Sequence, residues 1–172
     1  MSYTHAMRIL LYGFTNFGRY RTNVSEQVVK MIRRRPGLSK RVFKAEFEPA
    51  KFVAVAAKLK PDMVIGMGQC PKGDKLISET VAHNRYCRGR ACSPIVLGGP
   101  KALKLSCRLP KDAAVVQGRD AGTFVCNYAM YLFEDWARRN GSCSAFLHIP
   151  RGYPVDQAVR HVESALDAMS RE

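Results

Sequence analysis

The sequence predicts an α/β protein, a three-layer α/β/α sandwich with a mostly parallel central sheet. Short apolar segments alternate with amphipathic segments along the chain, which is typical of a parallel sheet covered by helices. The 172 residues are 47% hydrophobic, enough to form a substantial core. No linker, internal repeat or change of composition divides the chain, so we expect a single domain over residues 1–172.

The predicted elements follow from apolar spacing and from the turn residues that bound them. We interpret five short apolar segments as strands, namely Arg8–Tyr12, Val42–Phe47, Met63–Met67, Ala113–Gln117 and Ser144–Pro150. Four segments have apolar residues at helical spacing: from Val24 to the stop at Pro36-Gly37, Ala50–Lys60, from Val125 to the stop at Asn140-Gly141, and from Val155 to Met169. Lys75–His83 fits a strand or a helix, and we favour a strand. Residues 85–112 are rich in Gly, Pro and basic residues, and we expect mostly loop there.

Composition excludes several classes of protein. No apolar run approaches the roughly 20 residues of a membrane helix, and Met1–Ala6 lacks the pattern of a secretory signal. We therefore expect a cytoplasmic protein without membrane contact. In such a chain the six cysteines are expected to be free thiols rather than a disulfide framework. No Cys-x-x-Cys pair is present, and we predict neither a metal site nor a cofactor.

The net charge of +14 is unusual for a metabolic enzyme. Basic residues crowd between Lys30 and Lys44 and again between Arg85 and Arg108. Such clusters fit a nucleic-acid surface or a solvated helix end followed by a loop. Nucleic-acid surfaces usually have aromatic side chains between the basic ones, whereas the first cluster has none before Phe43, next to its last residue. We therefore favour the solvated helix end and do not expect nucleic acid to be the main partner.

The most informative segment is Asp120–Tyr128, a turn of small residues that delivers Cys126 into the start of a predicted helix. Backbone N–H groups at a helix N-terminus favour the reactive thiolate. His148 ends the next predicted strand, and Glu79 lies in the ambiguous segment. Ligands of parallel sheets bind beyond the carboxyl ends of the strands, so these groups can meet there as nucleophile, base and orienting carboxylate.

The same residues also fit purely structural roles. Cys126 fits a buried thiol that packs as a small apolar side chain, and His148 a histidine whose bonds are satisfied in the core. His83, four residues after Glu79, is a rival base, and Cys70 is a second candidate for a reactive thiol. Spacing along the chain leaves all of these roles open.

Three further residues leave strands at the same predicted edge. Phe14 and Phe17 flank a glycine loop, where they either cap the core or clamp a flat apolar ligand. Gln69 follows another buried strand.

These motifs, in this order, resemble pyroglutamyl peptidase type I, also called pyrrolidone-carboxylate peptidase. The resemblance covers most of the chain, in the segments Met7–Ser25, Gly66–Gln69, Ile77–Asn84, Ala121–Tyr128 and Phe146–Pro150. The last two segments, around the cysteine and the histidine, are the most specific.

The resemblance implies a thiol exopeptidase that removes an N-terminal pyroglutamyl residue from a peptide or small amide through an acyl-enzyme, without a metal. Cys126 would be the nucleophile, His148 the base and Glu79 the group that orients the base. It further implies that Phe14 and Phe17 sandwich the lactam ring and that the backbone of Gln69 hydrogen-bonds it. A homo-oligomer is also compatible with the resemblance.

The sequence departs from the family pattern around the expected pocket. Cys70-Pro71-Lys72 replaces a small Gly/Ala-rich turn, and Arg85–Arg90 replaces the family stretch that carries an arginine near the oxyanion. Arg88 and Arg90 are the two candidates for that role. Two further hypotheses therefore remain: a thiol amidohydrolase with another acyl or lactam substrate, or a non-catalytic relative that binds an acidic partner through its basic surface.

Overall fold

The computed structural model describes residues 7–110 and 112–169. Segment 1–6, on which the expected location partly rests, lies outside these residues. The strands are β1 Ile9–Phe14, β2 Leu38–Phe43, β3 Met63–Cys70, β4 Leu76–Glu79, β5 Val81–His83, β6 Tyr86–Arg88, β7 Ala91–Ser93, β8 Ala102–Lys104, β9 Val115–Gly118 and β10 Cys143–Pro150. The helices are α1 Val24–Met31, α2 Pro49–Leu59, α3 Val125–Arg139 and α4 Val155–Met169.

A six-stranded sheet in the order β2-β1-β3-β10-β4-β9 forms the middle layer. Its strand pairs are parallel except for β10 with β4, which run antiparallel. Alternation along β1 shows the two layers: Leu10, Tyr12 and Phe14 pack with α2 and α3, whereas Ile9 and Leu11 pack with α1 and α4. The predicted three-layer α/β/α fold is therefore confirmed.

One predicted strand boundary differs from the structure. We expected a strand at Val42–Phe47, but β2 begins at Leu38 and pairs with β1 from Ile9↔Leu38 onwards. This strand lies at the edge of the sheet and is half-exposed, so it lacks the apolar signal of a buried strand. The described part of residues 85–112 is mostly loop, as expected; it also contains the three-residue strands β6, β7 and β8, which are too short to show a period.

The expectation of six free thiols is wrong. Cys87 and Cys92 form a disulfide across the β6–β7 hairpin, and Cys107 is bonded to Cys143 at the start of β10. Cys70 and Cys126 are free. Because disulfides persist mainly in oxidising compartments, they do not favour the predicted cytoplasmic location, which stays a prediction.

The first basic cluster is largely engaged in the fold. Arg33 and Arg35 form ion pairs with Glu163 and Asp167 of α4. The ammonium of Lys40 donates to the carbonyls of Lys30 and Ile32 at the end of α1. These contacts support a solvated helix end in this region. Among the described residues, no helix has the length and apolarity needed to cross a bilayer.

Candidate active site

Cys126 lies in the first turn of α3, where the preceding turn delivers it. The carboxylate of Asp120 accepts a hydrogen bond of 2.9 Å from the N–H of Gly122, which has a positive φ of 78° that suits glycine. The helix N-cap is Phe124, whose side chain cannot accept a hydrogen bond from the first turn. The N-cap side chain therefore leaves the first N–H groups of α3 uncapped, in the turn that holds Cys126, a residue that is 8% exposed.

His148 and Glu79 come together because of the register between β10 and β4. Phe146 lies opposite Glu79 in this antiparallel pair, and His148 lies two residues further along on the same face. Glu79 is thus a diagonal neighbour of His148. The imidazole Nδ1 is 2.8 Å from Glu79 Oε1, and both side chains are buried.

Gly68 of β3 makes room for the thiol beside this pair. It is directly in register with His148 of β10. A Cβ atom at Gly68 would lie 2.5 Å from Cys126 Sγ and 2.9 Å from Phe146 Cζ. The absence of a side chain at this position lets the start of α3 approach the sheet closely enough to bring the thiol to the imidazole.

The electrostatics of these groups favour a charged imidazole. Burial lowers the pKa of His148, but the charge and hydrogen bond of Cys126, together with Glu79, outweigh burial and raise this pKa from 6.5 to about 9. Burial raises the pKa of the other free thiol, Cys70, to about 11. At neutral pH the structure therefore favours an imidazolium beside Cys126 and a protonated thiol at Cys70.

A cavity of about 460 Å³ opens above the three groups. Glu79, Cys126 and His148 all line it. Its walls are mostly apolar and include three aromatic side chains, those of Phe17, Tyr20 and Phe124. The rings of Phe17 and Phe124 lie 5.2 Å apart between centroids, and Tyr20 packs edge-on against Phe17. This cavity fits a small acyl group with an apolar ring.

Phe14, expected to hold the ligand together with Phe17, is not among the residues that line this cavity. Its ring is 1% exposed and packs edge-on against Tyr12 and Phe52 in the core. The sequence could not separate the two phenylalanines, since both flank the same loop. Phe124 was missed, although its position two residues before the cysteine was a usable signal.

Gln69 lines the cavity as expected, but its side chain has a structural contact. Its Oε1 accepts a hydrogen bond of 3.0 Å from the N–H of Val24, at the start of α1. The ladder between β1 and β3 ends at Tyr12↔Gly66, whereas β3 continues alongside β10 to Cys70. On the side that faces β1, the backbone of Gln69 is therefore not paired in the β1–β3 ladder, and Gln69 lines the cavity.

The two candidate arginines do not reach the cavity. The guanidinium of Arg88 lies 5.6 Å from the ring centroid of Phe47, and Arg90 is exposed in the β6–β7 turn. Neither lines the cavity, so the predicted oxyanion role for Arg88 or Arg90 has no support in the structure.

The rival base is also placed elsewhere. His83 donates from Nε2 to the carbonyl of Arg119 at 3.0 Å and lines a different cavity. Among the described residues, no group of three or more His, Cys, Asp or Glu side chains is arranged to hold a metal ion.

A buried thiol at a helix N-terminus, next to an imidazole that contacts a carboxylate, is the arrangement of a cysteine hydrolase on an α/β/α scaffold. No protein-family model matches the chain. Among curated proteins, it is 30% identical to the pyrrolidone-carboxylate peptidase of Chromobacterium violaceum, across 89% of this chain and 81% of that protein. It is 27% identical to pyrrolidone-carboxylate peptidase 1 of Saccharolobus solfataricus, across 84% of this chain and 79% of that protein.

Solved structures share the fold. Pyroglutamyl peptidase I of Bacillus amyloliquefaciens superposes with a TM-score of 0.84 at 23% identity, covering 96% of this chain and 98% of that one. Pyrrolidone carboxyl peptidase of Thermococcus litoralis gives a TM-score of 0.81 at 20% identity, with 96% of both chains covered. The chain belongs to the pyrrolidone-carboxylate peptidase family, a family of cysteine peptidases.

Proposed function

We propose that this protein removes an N-terminal pyroglutamyl residue from peptides, using Cys126, His148 and Glu79 and passing through an acyl-enzyme. The observation that carries the proposal is the buried 2.8 Å contact between His148 Nδ1 and Glu79 Oε1, next to a thiol at a helix N-terminus. The family relationship supports the same activity.

The first half of the reaction forms a thioester. The sulfur of Cys126, deprotonated by His148, attacks the carbonyl carbon that joins pyroglutamate to the next residue. The carbon–nitrogen bond then breaks, and the imidazolium of His148 gives its proton to the leaving amine. Glu79 accepts a hydrogen bond from Nδ1–H, which leaves Nε2 to exchange the proton and stabilises the imidazolium.

The second half releases the product. A water molecule gives a proton to His148 and attacks the thioester carbon, the carbon–sulfur bond breaks, and free pyroglutamate leaves. In both halves negative charge develops on the carbonyl oxygen. We assign its stabilisation to backbone N–H groups in the first turn of α3, because Phe124 at the N-cap provides no competing acceptor.

We assign the lactam ring to the aromatic part of the cavity. Phe17 and Phe124 provide apolar surface for the ring, and the backbone of Gln69 beyond the β1 ladder is positioned to hydrogen-bond the lactam amide. Phe17 and Gln69 thus have the roles that the family resemblance implies, and Phe124 has the role that it implies for Phe14.

A second candidate is a thiol amidohydrolase for another small acyl or lactam group. The observation that favours it is the presence of Cys70 and Pro71 in the cavity wall, where the family resemblance predicts small residues. A panel of N-terminally blocked aminomethylcoumarin amides separates the two, since the first proposal requires the pyroglutamyl compound to be the best substrate.

The proposal is tested with pyroglutamyl-aminomethylcoumarin and with iodoacetamide labelling. We expect Cys126→Ala to reduce hydrolysis by about 10⁴-fold or more while circular dichroism still shows the native secondary structure. In the native protein, iodoacetamide should label Cys126 rapidly near pH 7, with Cys70 as a slow internal reference because of its raised pKa. Retained hydrolysis in Cys126→Ala would remove this thiol from the mechanism. Equal labelling of both thiols, with no hydrolysis of any amide, would favour a non-catalytic relative.

A further inference from the structure

A second cavity, of about 360 Å³, adjoins the first. The two cavities share Asp120 and Gly122, which belong to the turn that delivers the nucleophile. The walls of the second cavity are polar and basic and include Arg85 and Lys101. The proposed function does not use this cavity.

The fold holds the second cavity rigidly against the nucleophile. Asn127, the residue after Cys126, is fully buried, and its amide makes three hydrogen bonds of 2.8 Å. Two are with the backbone N–H and C=O of His83, and the third is with the carbonyl of Arg85. The backbone of Arg85 is therefore fixed relative to the thiol.

The backbone of Lys101 is also fixed, through a hydrogen bond with Asn84. The N–H of Asn84 donates to the carbonyl of Lys101 at 2.8 Å, which extends the pairing of β5 with β8 by one step. The N–H of Cys87 donates to the carbonyl of Thr123 in the nucleophile turn at 3.0 Å. These bonds connect the basic wall to the turn shared by both cavities.

The positive charges of this wall are not neutralised by ion pairs within the described part of the chain. Arg85 and Lys101 are exposed, and neither forms an ion pair with any described residue. His83 faces the carbonyl of Arg119 through Nε2. Asp120 contributes one carboxylate, which already accepts the N–H of Gly122. Within the described residues, the cavity thus presents two cations that form no ion pair, against one anion.

We infer that the second cavity receives the leaving side of the substrate and that Arg85 and Lys101 select a carboxylate there. The inference rests on the proposed function: the Asp120–Gly122 turn borders both cavities, so a residue that follows an acyl group bound in the first cavity can extend across this turn into the second. The carboxylate is either the side chain of an acidic residue after the scissile bond or the free C-terminus of a dipeptide. The net charge of +14 also steers anionic peptides towards the protein.

The test compares kcat/KM for pyroglutamyl-Glu-amide, pyroglutamyl-Ala with a free carboxylate, pyroglutamyl-Ala-amide and pyroglutamyl-Lys-amide. We expect one or both carboxylate substrates to exceed the neutral amide by about fivefold to tenfold, the scale of two partly exposed charge pairs. The lysyl substrate should be the slowest. The preference should shrink at ~0.5 M salt, where exposed charges are screened. A preference for the glutamyl amide alone identifies the side-chain carboxylate, and one for free pyroglutamyl-Ala alone identifies the C-terminus.

Variants connect the preference to this wall. In Arg85→Gln with Lys101→Gln, the ratio of carboxylate to neutral substrate should fall to within about twofold of one. Lys58→Gln, an exposed lysine on α2, makes an equal charge change per site and should keep the ratio. Cleavage of all four substrates at equal rates would overturn the inference while leaving the proposed function intact. Failure to cleave any of them would contradict the proposed function itself.

Discussion

His148 Nδ1 and Glu79 Oε1 lie 2.8 Å apart, on neighbouring antiparallel strands within an otherwise parallel sheet. The reversal of β4 relative to β10 brings the carboxylate to the same edge as the imidazole. Oε2 of Glu79 is buried and has no hydrogen-bond partner among the described residues, so this carboxylate acts on the site through Oε1.

Glu79→Gln should lower the pKa of His148. Cys126 first and Glu79 second raise the native pKa to about 9, and the glutamine retains neither the charge nor the strong acceptor of Glu79. The midpoint of the His148 Cε1–H resonance in an NMR titration should move to lower pH, and kcat should fall by about 100-fold or more. Asp112→Asn, which alters the separate His161–Asp112 contact, is the matched control and should leave the His148 midpoint unchanged.

The same shift predicts how stability depends on pH. A raised folded-state pKa means that the native protein binds a proton more tightly than the unfolded chain, so the stabilisation is complete below pH 6.5 and is lost as pH rises through about 9. The free energy of unfolding in urea should therefore decline between pH 6.5 and 9, and less so in Glu79→Gln. An equal decline in both proteins would show that Glu79 does not contribute to the raised pKa of His148.

Gly68→Ala should damage catalysis without a comparable loss of folding. The new methyl group would lie 2.5 Å from Cys126 Sγ and 3.2 Å from His148 Cδ2, so the thiol and the imidazole cannot both keep their present positions relative to β3. A displacement near ~1 Å costs about 100-fold in rate, which we expect in kcat. Gly152→Ala is the control, since a Cβ there meets no atom within 4 Å. Activity of Gly68→Ala within about threefold of the native protein would contradict the close approach of α3 to β3.

Phenylalanine variants should separate the cavity from the core. Phe17→Ala and Phe124→Ala remove apolar surface from the cavity and should raise KM by about tenfold, with little change in unfolding. Phe14→Ala removes a buried ring and should lower the free energy of unfolding by about 3–5 kcal/mol. Urea denaturation and steady-state kinetics on the same preparations measure both quantities. If Phe14→Ala raises KM in a protein of native stability, Phe14 does contact the substrate.

The two disulfides should contribute unequally to stability. Chain-entropy arguments give about 4 kcal/mol for Cys107–Cys143, with a sequence separation of 36, and about 2 kcal/mol for Cys87–Cys92, with a separation of 5. Replacing both cysteines of each pair with alanine and measuring urea unfolding checks this order. Under denaturing, non-reducing conditions the protein should titrate two thiols per chain, those of Cys70 and Cys126. A titration of all six cysteines as thiols would mean that neither disulfide forms.

Local sequence was sufficient for the buried elements. The apolar runs of β3 and β10 and the spacing of apolar residues in α3 predicted their positions, because a buried face must be apolar at the period of its element. Edge strand β2 and the short strands within residues 85–112 were misplaced or missed. Their pairing depends on contacts with distant segments and on the Cys87–Cys92 disulfide, which local spacing does not encode.

The sequence by itself determined the α/β layering and singled out Cys126, His148 and Glu79, because turn chemistry, hydrophobic period and motif similarity are all local properties. Tertiary structure decided the rest. It placed Phe14 in the core and Phe124 at the cavity, removed Arg88 and Arg90 from the thiol, and joined four cysteines in disulfides. The physical reason is that side-chain positions and disulfide pairs depend on distances between residues far apart in the chain. Strand register sets such distances, and so does the close approach of α3 to β3 at Gly68.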